Sequence, residues 1–161
     1  MNRLAERIFG AGGFASAVQG RCQTEELDDL KSVNDGLGHS AGDALLIAVA
    51  DRLRGSMRES DLAARFGGDE FAVLFEDTDG TQAEVAVNRI LRTLEPPVDV
   101  EGQSIRAQAS IGLAVVDDGG CEPEELLRRA DAAMYVAKAR GKGQYAVFGG
   151  EDRVGAGQIT G

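Results

Sequence analysis

Apolar side chains recur every three or four positions in three segments, which is the spacing of a helix with one buried face. The first helix is predicted over residues 40–57, with Ser40 as its N-cap. The second is predicted over residues 81–94, before two prolines, and the third over residues 122–139. Their predicted buried faces are Leu45, Leu46, Val49, Leu53 and Met57; Val85, Ile90 and Leu94; and Leu126, Leu127, Ala130, Ala133, Met134 and Ala137.

Short apolar runs between these helices predict strands. Residues 62–66 and 71–75 flank a Gly-Gly turn and form a predicted hairpin. In the second strand both faces are apolar, so we expect it to be covered on both sides. One face carries Phe71, Val73 and Phe75, and the other carries Ala72 and Leu74.

The remaining strands complete a mixed domain. Strands are predicted over residues 98–100 and 105–116, joined by a turn near Glu101 and Gly102, with an edge strand over 144–148. Residues 21–25 are polar throughout, so a buried first strand there is doubtful. Hairpins that alternate with helices predict an α+β fold, with one mainly antiparallel sheet and helices packed on it.

Composition narrows the class of protein. The chain has 161 residues, 43% of them apolar and 27% charged, which fits one folded domain. No apolar run approaches the roughly 20 residues of a membrane span, and glycines interrupt the N-terminal segment where a signal peptide needs an apolar core. We therefore expect a cytoplasmic protein with no membrane partner. Cys22 and Cys121 are isolated, so neither a disulfide framework nor a zinc site is predicted.

The charge balance also excludes some partners. Seventeen basic and 27 acidic residues give a net charge of −10, which argues against a nonspecific nucleic-acid binder. A nucleotide remains possible as a ligand, because a bridging Mg²⁺ and a few converging cations can hold a polyphosphate against an acidic protein.

Two acidic residues at the predicted hairpin tip are the strongest chemical feature. Asp69 and Glu70 follow Gly67 and Gly68, whose bare backbone leaves room for a bulky ligand. Strand alternation would send the two carboxylates to opposite sides. A Gly-Gly turn with solvated acids is the alternative interpretation.

Two further features involve charge. If Glu26 ends a strand beside the hairpin, Glu26 and Asp69 could share Mg²⁺, for which two carboxylates are a usual minimum. Lys138 and Lys142 are four residues apart at a helix end and could grip phosphate oxygens. A solvated turn in the first case, and cations that complement the helix dipole in the second, remain open alternatives.

Together these motifs resemble the GGDEF family of diguanylate cyclases. The segment Gly67-Gly68-Asp69-Glu70-Phe71 matches the family signature letter for letter. The resemblance covers residues 26–148, with 1–25 as an irregular or truncated N-terminal segment and 149–161 as a tail expected to be disordered. Its other motifs are Lys31-Ser32-Val33-Asn34-Asp35, Gly38-His39, Gly42-Asp43, Ala109-Ser110-Ile111-Gly112, and Ala130-Asp131 through Tyr135 to Ala137-Lys138.

The resemblance implies a fold and a reaction. The fold is a ferredoxin-like palm domain of the nucleotidyl cyclase type. In the reaction two GTP molecules condense to cyclic di-GMP and release two pyrophosphates, because each 3′-hydroxyl attacks the α-phosphate of the other GTP. Each domain would bind one GTP, so the resemblance implies a homodimer of domains.

The resemblance also implies roles for single residues. Asp69 would bind the metal and assist in deprotonating the 3′-hydroxyl, while Glu26 and the backbone carbonyl of Leu27 would complete the site for Mg²⁺ or Mn²⁺. The remaining substrate contacts would be phosphate contacts by Lys31, Lys138 and Lys142, guanine contacts by Asn34 and Asp43, and a substrate contact by His39.

A product-inhibition site is implied as well. The family has an Arg-x-x-Asp tetrad five residues before its signature, and Arg58-Glu59-Ser60-Asp61 fits that position. Arg58 would pair with a phosphate or guanine of cyclic di-GMP, and Asp61 with a guanine edge.

Three departures from the family pattern keep other functions open. Glu26 replaces the usual Asp, residues 21–25 are polar, and Lys142 replaces a more common Arg. One alternative is therefore an impaired domain that acts as a receptor for GTP or cyclic di-GMP or as a dimerisation module. Another is an acidic α+β protein-interaction domain with no nucleotide role.

Overall fold

A six-stranded sheet, a two-stranded hairpin and four helices form the part of the chain that the structure, a computed structural model, describes. These residues are 20–27, 30–65, 67–76, 78–116, 122–149 and 154–156, with the backbone alone for 20–27, 76 and 154–156. The strands are β1 (Gly20–Leu27), β2 (Leu62–Arg65), β3 (Glu70–Glu76), β4 (Val98–Val100), β5 (Gln103–Ile105), β6 (Ala109–Val115), β7 (Gln144–Val147) and β8 (Val154–Ala156). The helices are α1 (Leu30–Leu37), α2 (His39–Gly55), α3 (Gly80–Leu94) and α4 (Pro123–Arg140).

The sheet has the strand order β2-β3-β1-β6-β7-β8, and β4 and β5 form a separate hairpin. All neighbouring strands of the sheet are antiparallel except β6 and β7, which are parallel. This arrangement confirms the predicted α+β fold with a mainly antiparallel sheet.

The doubt about the first strand was wrong, because β1 lies at the centre of the sheet. Arg21 pairs with Phe75 of β3 on one side and with Val115 of β6 on the other. The polar composition of residues 21–25 does not prevent a strand, since the backbone groups of β1 face a partner strand on each side and form ladders with both.

Both faces of β3 are covered, as the apolar residues on both of its faces predict. Phe71, Val73 and Phe75 enter the main core together with residues of α2 and α3. Ala72 belongs to a second cluster on the opposite face, where Ala130 of α4 packs. The sheet therefore lies between two layers of helix.

The three predicted helices are present, but one predicted cap and one predicted buried residue are wrong, and a fourth helix was not predicted. The N-cap of α2 is Gly38 and makes no side-chain cap hydrogen bond, so Ser40 does not cap this helix. Val85 is 62% exposed because it lies off the stripe that buries Ala83, Val87 and Ile90. The short helix α1 was not predicted, since its buried face consists of only Leu30 and Val33.

The strand predictions also need two corrections. The predicted strand over 105–116 is two strands, since β5 ends at Ile105 and β6 begins at Ala109. The predicted edge strand over 144–148 is not an edge, because β8 pairs with β7 beyond it. Strand β8 also lies inside the segment for which the sequence predicts disorder. The predicted turn at Glu101 and Gly102 is present, and both residues have positive φ, 53° and 80°.

Candidate functional site

The signature turn between β2 and β3 is held by the arginine that precedes it. Arg65 Nε donates to the carbonyl oxygens of Gly67, at 3.0 Å, and of Gly68, at 3.1 Å. Gly67 N in turn donates to the Glu70 carbonyl oxygen at 3.5 Å. The backbone on both sides of Asp69 is therefore tied to its own hairpin.

The two glycines of the turn differ in their surroundings. A Cβ built on Gly67 would come within 2.9 Å of Glu70 Oε2, so the Glu70 carboxylate lies over this glycine. A Cβ on Gly68 would meet nothing within 4 Å. The backbone at Gly68 is thus open to a ligand, and Asp69, which is partly exposed, stands beside that opening.

The end of β1 lies beside this turn. Glu26 pairs with Glu70 of β3 on one side and with the fully buried Ser110 of β6 on the other. Because Glu70 directly follows Asp69, the sheet brings the backbones of the two predicted metal ligands to one end of adjacent strands. Leu27 pairs with Ala109 in the same ladder. The carboxylate of Glu26 lies outside the described residues. Among the side chains that are described, no group of three or more His, Cys, Asp or Glu converges to hold a metal.

A tight junction between α1 and α2 brings together the two predicted guanine-binding residues. Gly38, with φ of 88°, donates from its N–H to the Asn34 carbonyl oxygen at 2.9 Å and turns the chain back. The half-buried Asn34 side chain then lies against Gly42, which directly precedes the exposed Asp43. His39 is exposed at the start of α2.

An apolar cavity of about 620 Å³ lies between α2 and the edge strand β2. Its apolar lining includes Leu46, Leu53, Met57 and Phe71, and its charged lining residues are Asp43, Arg54, Asp61 and Arg65. The predicted guanine-binding carboxylate therefore borders a cavity that could accept a planar base. Sequence reasoning missed Leu46, Phe71 and Arg65 as site residues. The position of Arg65, two residues before the first glycine of the signature, is the signal that could have found it.

The predicted phosphate-binding lysines come from two separate elements. Lys31 is exposed on α1. Lys138 is half-buried in the last turn of α4, whereas Lys142 is exposed beyond the end of that helix. Between them Gly141 has φ of 129°, so the helical period does not fix the direction of Lys142 relative to Lys138.

The predicted inhibitory tetrad forms a closed turn. Arg58 N donates to Asp61 Oδ2 at 2.8 Å, and Asp61 N donates to the Arg58 carbonyl oxygen at 3.1 Å. Asp61 is 7% exposed, and its Oδ1 has no hydrogen-bond partner among the described residues. The contact between the two residues runs through the backbone of Arg58 and occupies Oδ2 of Asp61. The side chain of Arg58 is exposed.

Comparison with known proteins agrees with these features. The family profile described as "Diguanylate cyclase, GGDEF domain" matches residues 24–144. The diguanylate cyclase TpbB of Pseudomonas aeruginosa PAO1 is 42% identical over 153 residues, covering 89% of this chain and 35% of that protein. The bifunctional diguanylate cyclase/cyclic di-GMP phosphodiesterase MucR of the same organism is 41% identical, covering 76% of this chain and 18% of its own length.

A solved structure extends the agreement to the fold. The crystal structure of the GGDEF domain of TpbB superimposes with a TM-score of 0.77 at 35% identity, covering 91% of each chain. The chain spans between 16% and 35% of the length of the first curated relatives that it matches. No helix among the described residues is long and apolar enough to cross a membrane. The profile match, the curated relatives and the palm-like fold agree, and the chain belongs to the GGDEF-domain family of diguanylate cyclases.

Proposed function

We propose that this chain is a diguanylate cyclase domain that condenses two GTP molecules into cyclic di-GMP and two pyrophosphates. The observation that carries the proposal is the sheet register, in which Glu26 stands opposite Glu70 and hence next to the turn that presents Asp69. A catalytic pair of carboxylates needs this proximity, and the open backbone at Gly68 leaves space for the triphosphate beside it.

Three oxygen donors would hold Mg²⁺ or Mn²⁺. They are the carboxylates of Glu26 and Asp69 and the backbone carbonyl of Leu27, a set of hard ligands of the kind that Mg²⁺ takes. The register supports this assignment. Glu26 and Leu27 are the last residues of β1, and Asp69 directly precedes β3, which is paired with β1. When bound, the metal would neutralise phosphate charge and polarise the attacked phosphorus.

The side chains of the domain then have distinct tasks in each half-reaction. Asp69 would accept the proton of the attacking 3′-hydroxyl as the new oxygen–phosphorus bond forms at the α-phosphate of the other GTP. The bond from that phosphorus to the bridging oxygen breaks, and pyrophosphate leaves. Lys31, Lys138 and Lys142 would hold phosphate oxygens, since ammonium groups stabilise the negative charge that the leaving group carries.

Guanine would be read at the junction of α1 and α2. Asp43 can accept from the N1–H and N2–H groups of guanine and would reject adenine, which lacks this pair of donors. Asn34, beside it, would contribute an amide, and His39 would lie at the edge of the substrate. Of these three residues, Asp43 lines the apolar cavity between α2 and β2, which could accept a planar base beside it.

The proposed active form is a homodimer in the cytoplasm, where GTP is available. Each domain would bind one GTP, so both 3′-hydroxyl groups reach an α-phosphate only when two domains face each other. We propose no nucleic-acid partner, given the net charge of −10. Cyclic di-GMP would also bind as an inhibitor at Arg58 and Asp61, where the exposed guanidinium of Arg58 can reach a phosphate of the product.

One observation favours a second candidate function. Glu26 is longer by one methylene group than the Asp that the family usually has, and catalytic groups need placement within roughly 0.5 Å. An impaired domain of this kind would still bind GTP or cyclic di-GMP and serve as a receptor or dimerisation module.

Product chromatography separates these possibilities. With GTP and Mg²⁺ we expect cyclic di-GMP from the native chain, none from Asp69→Ala, and an equal or higher rate from Glu26→Asp. Asp51→Ala is the matched control, because Asp51 is exposed on α2 and pairs only with Arg54 among the contacts described, at 3.0 Å. If a folded, dimeric sample yields no dinucleotide at high concentration but binds GTP, the receptor function replaces the enzymatic one.

A further inference from the structure

A glycine inside α2 lies directly beneath the side chain that is proposed to contact guanine. A Cβ built on Gly42 would come within 2.0 Å of Asn34 Oδ1, 2.8 Å of its Cγ and 3.2 Å of its Nδ2. All three of these atoms belong to the amide group, and no backbone atom is among the nearest neighbours. The missing side chain of Gly42 is therefore the space in which the Asn34 amide lies.

The position of Gly42 makes this use of glycine specific. Glycine is among the least favourable residues in a helix interior, and α2 continues for thirteen residues beyond Gly42 to its end at Gly55. The φ of Gly42 is not in the left-handed region, in contrast to Gly38. Backbone conformation therefore does not require a glycine here, whereas contact with Asn34 does.

We propose that Gly42 is a positioning residue that sets the orientation of the Asn34 amide beside Asp43 and thereby the preference for guanine. The inference rests on the proposed function of Asn34 and Asp43 as guanine contacts. An added methyl group would push the amide away from α2, because the clash falls on the end of a side chain that can rotate. The donor and acceptor of Asn34 would then no longer match the base, while the metal and phosphate contacts stay in place.

Base binding can be measured without turnover by using analogues in which a methylene group joins the α and β phosphorus atoms. We expect Gly42→Ala to bind the GTP analogue about tenfold more weakly in calorimetry, as loss of one or two hydrogen bonds would cause. Binding of the corresponding ATP analogue should not change, so selectivity falls by the same factor. With GTP itself, KM should rise while kcat stays within about twofold.

Gly36→Ala is the matched control. Gly36 is also helical and lies two residues from Asn34, but a Cβ there would meet nothing within 4 Å. We expect this variant to bind the GTP analogue as the native chain does.

A double-mutant cycle with Asn34→Ala identifies the route of the effect. If Gly42 acts through the amide, Gly42→Ala adds nothing to the loss already caused by Asn34→Ala. Additive losses would overturn the inference, and so would a Gly42→Ala variant that binds and discriminates as the native chain does. Should Gly42→Ala fail to fold, the double variant, which lacks the amide, must fold and bind like Asn34→Ala; if it is also unfolded, the inference is wrong. A native chain that neither binds nor converts GTP would instead refute the proposed function.

Discussion

The guanidinium of Arg65 donates two hydrogen bonds to the carbonyl oxygen of Gly68, from Nε at 3.1 Å and from a terminal nitrogen at 2.5 Å. A third bond from Nε reaches the Gly67 carbonyl oxygen at 3.0 Å. The residue that ends β2 thus fixes both glycines of the signature turn. Since Asp69 follows Gly68 directly, Arg65 positions the backbone from which the proposed catalytic carboxylate extends.

Replacing this guanidinium should lower kcat strongly and leave the free energy of unfolding nearly unchanged. Lysine keeps the charge in Arg65→Lys, but its single ammonium cannot reproduce the fork that spans two carbonyl oxygens. A displacement of about 1 Å at a reacting group can cost on the order of 10²-fold in rate, so we expect kcat to fall by about ten- to a hundredfold. Initial rates of cyclic di-GMP formation and a urea unfolding curve measure the two effects.

Arg89→Lys is the control for that substitution. Arg89 is exposed on α3 and is not among the residues that line the cavity. We expect rates within about twofold of the native chain, because the change keeps the charge of an exposed side chain away from the site. Equal rates for Arg65→Lys and Arg89→Lys would show that the turn keeps its geometry without the arginine.

The sequence predicted the long helices because each has a wide apolar stripe at helical spacing. It predicted the hairpin because two apolar runs flank a Gly-Gly turn. Leu45, Val49 and Leu53 are all buried as the spacing of α2 requires. The same method failed for β1, whose polar sequence carries no alternation. A strand at the centre of a sheet is stabilised by two ladders of backbone hydrogen bonds, and a side-chain pattern cannot show these.

The candidate site could be predicted only in part from the sequence, for a related reason. Motif positions indicated Asn34 and Asp43, but not that Gly42 leaves the space in which the Asn34 amide lies. Likewise Arg65 acts on main-chain oxygens, which look identical in every sequence. Contacts between a side chain and distant or bare backbone become visible only when the fold is known.

Product inhibition should depend on Arg58. Its exposed guanidinium can make charge-assisted hydrogen bonds to a phosphate, so Arg58→Ala should raise the cyclic di-GMP concentration for half-inhibition about tenfold or more. Asp61 is a poorer site for this test, because it closes the turn through Arg58 N and its removal would disturb the fold. Inhibition curves measured at fixed GTP give the midpoint.

Glu59→Ala is the corresponding control, since Glu59 is exposed within the same tetrad and is not one of the two proposed product contacts. Its inhibition midpoint should match that of the native chain. If the Arg58→Ala curve also matches the native curve, the tetrad is a surface turn without an inhibitory role.

The contact between β6 and α4 should tolerate no side chain at Gly112. A Cβ there would come within 1.9 Å of the Ala130 carbonyl oxygen and 2.3 Å of Met134 N, both backbone atoms of α4. Because the helix would have to move off the sheet, Gly112→Ala should cost about 3 kcal/mol of unfolding free energy, the upper end of the usual overpacking cost. Urea denaturation measures the loss.

Gly55→Ala provides a matched comparison, since a Cβ there meets nothing within 4 Å. We expect a change within about 1 kcal/mol, in the stabilising direction, because alanine has the higher helix propensity. A Gly112→Ala variant as stable as Gly55→Ala would mean that α4 shifts without cost.

The stability of the fold should depend on pH through the first turn of α4, where Glu125 accepts hydrogen bonds from two arginines. Arg129 Nε lies 2.7 Å from Glu125 Oε1, and Arg128 Nε lies 2.8 Å from Oε2. Hydrogen bonding by Arg129, followed by that of Arg128, holds the pKa of Glu125 below its usual value. A carboxyl group with a lowered folded-state pKa stabilises the fold above its unfolded pKa, and this contribution is lost as the pH falls through the folded value.

Removing either arginine should weaken this effect. Arg129→Gln and Arg128→Gln should each raise the pKa of Glu125 toward its ordinary value, as carboxyl NMR titration would measure. Arg140→Gln, an exposed change in the last turn of the same helix, should leave the titration unchanged because it lies four turns away. The destabilisation by Glu125→Gln should likewise be larger at neutral pH than in acid below the titration of Glu125. If Glu125 titrates at its ordinary value in the native chain, or if its pKa does not respond to either arginine, the hydrogen bonds at this turn do not bias its ionisation.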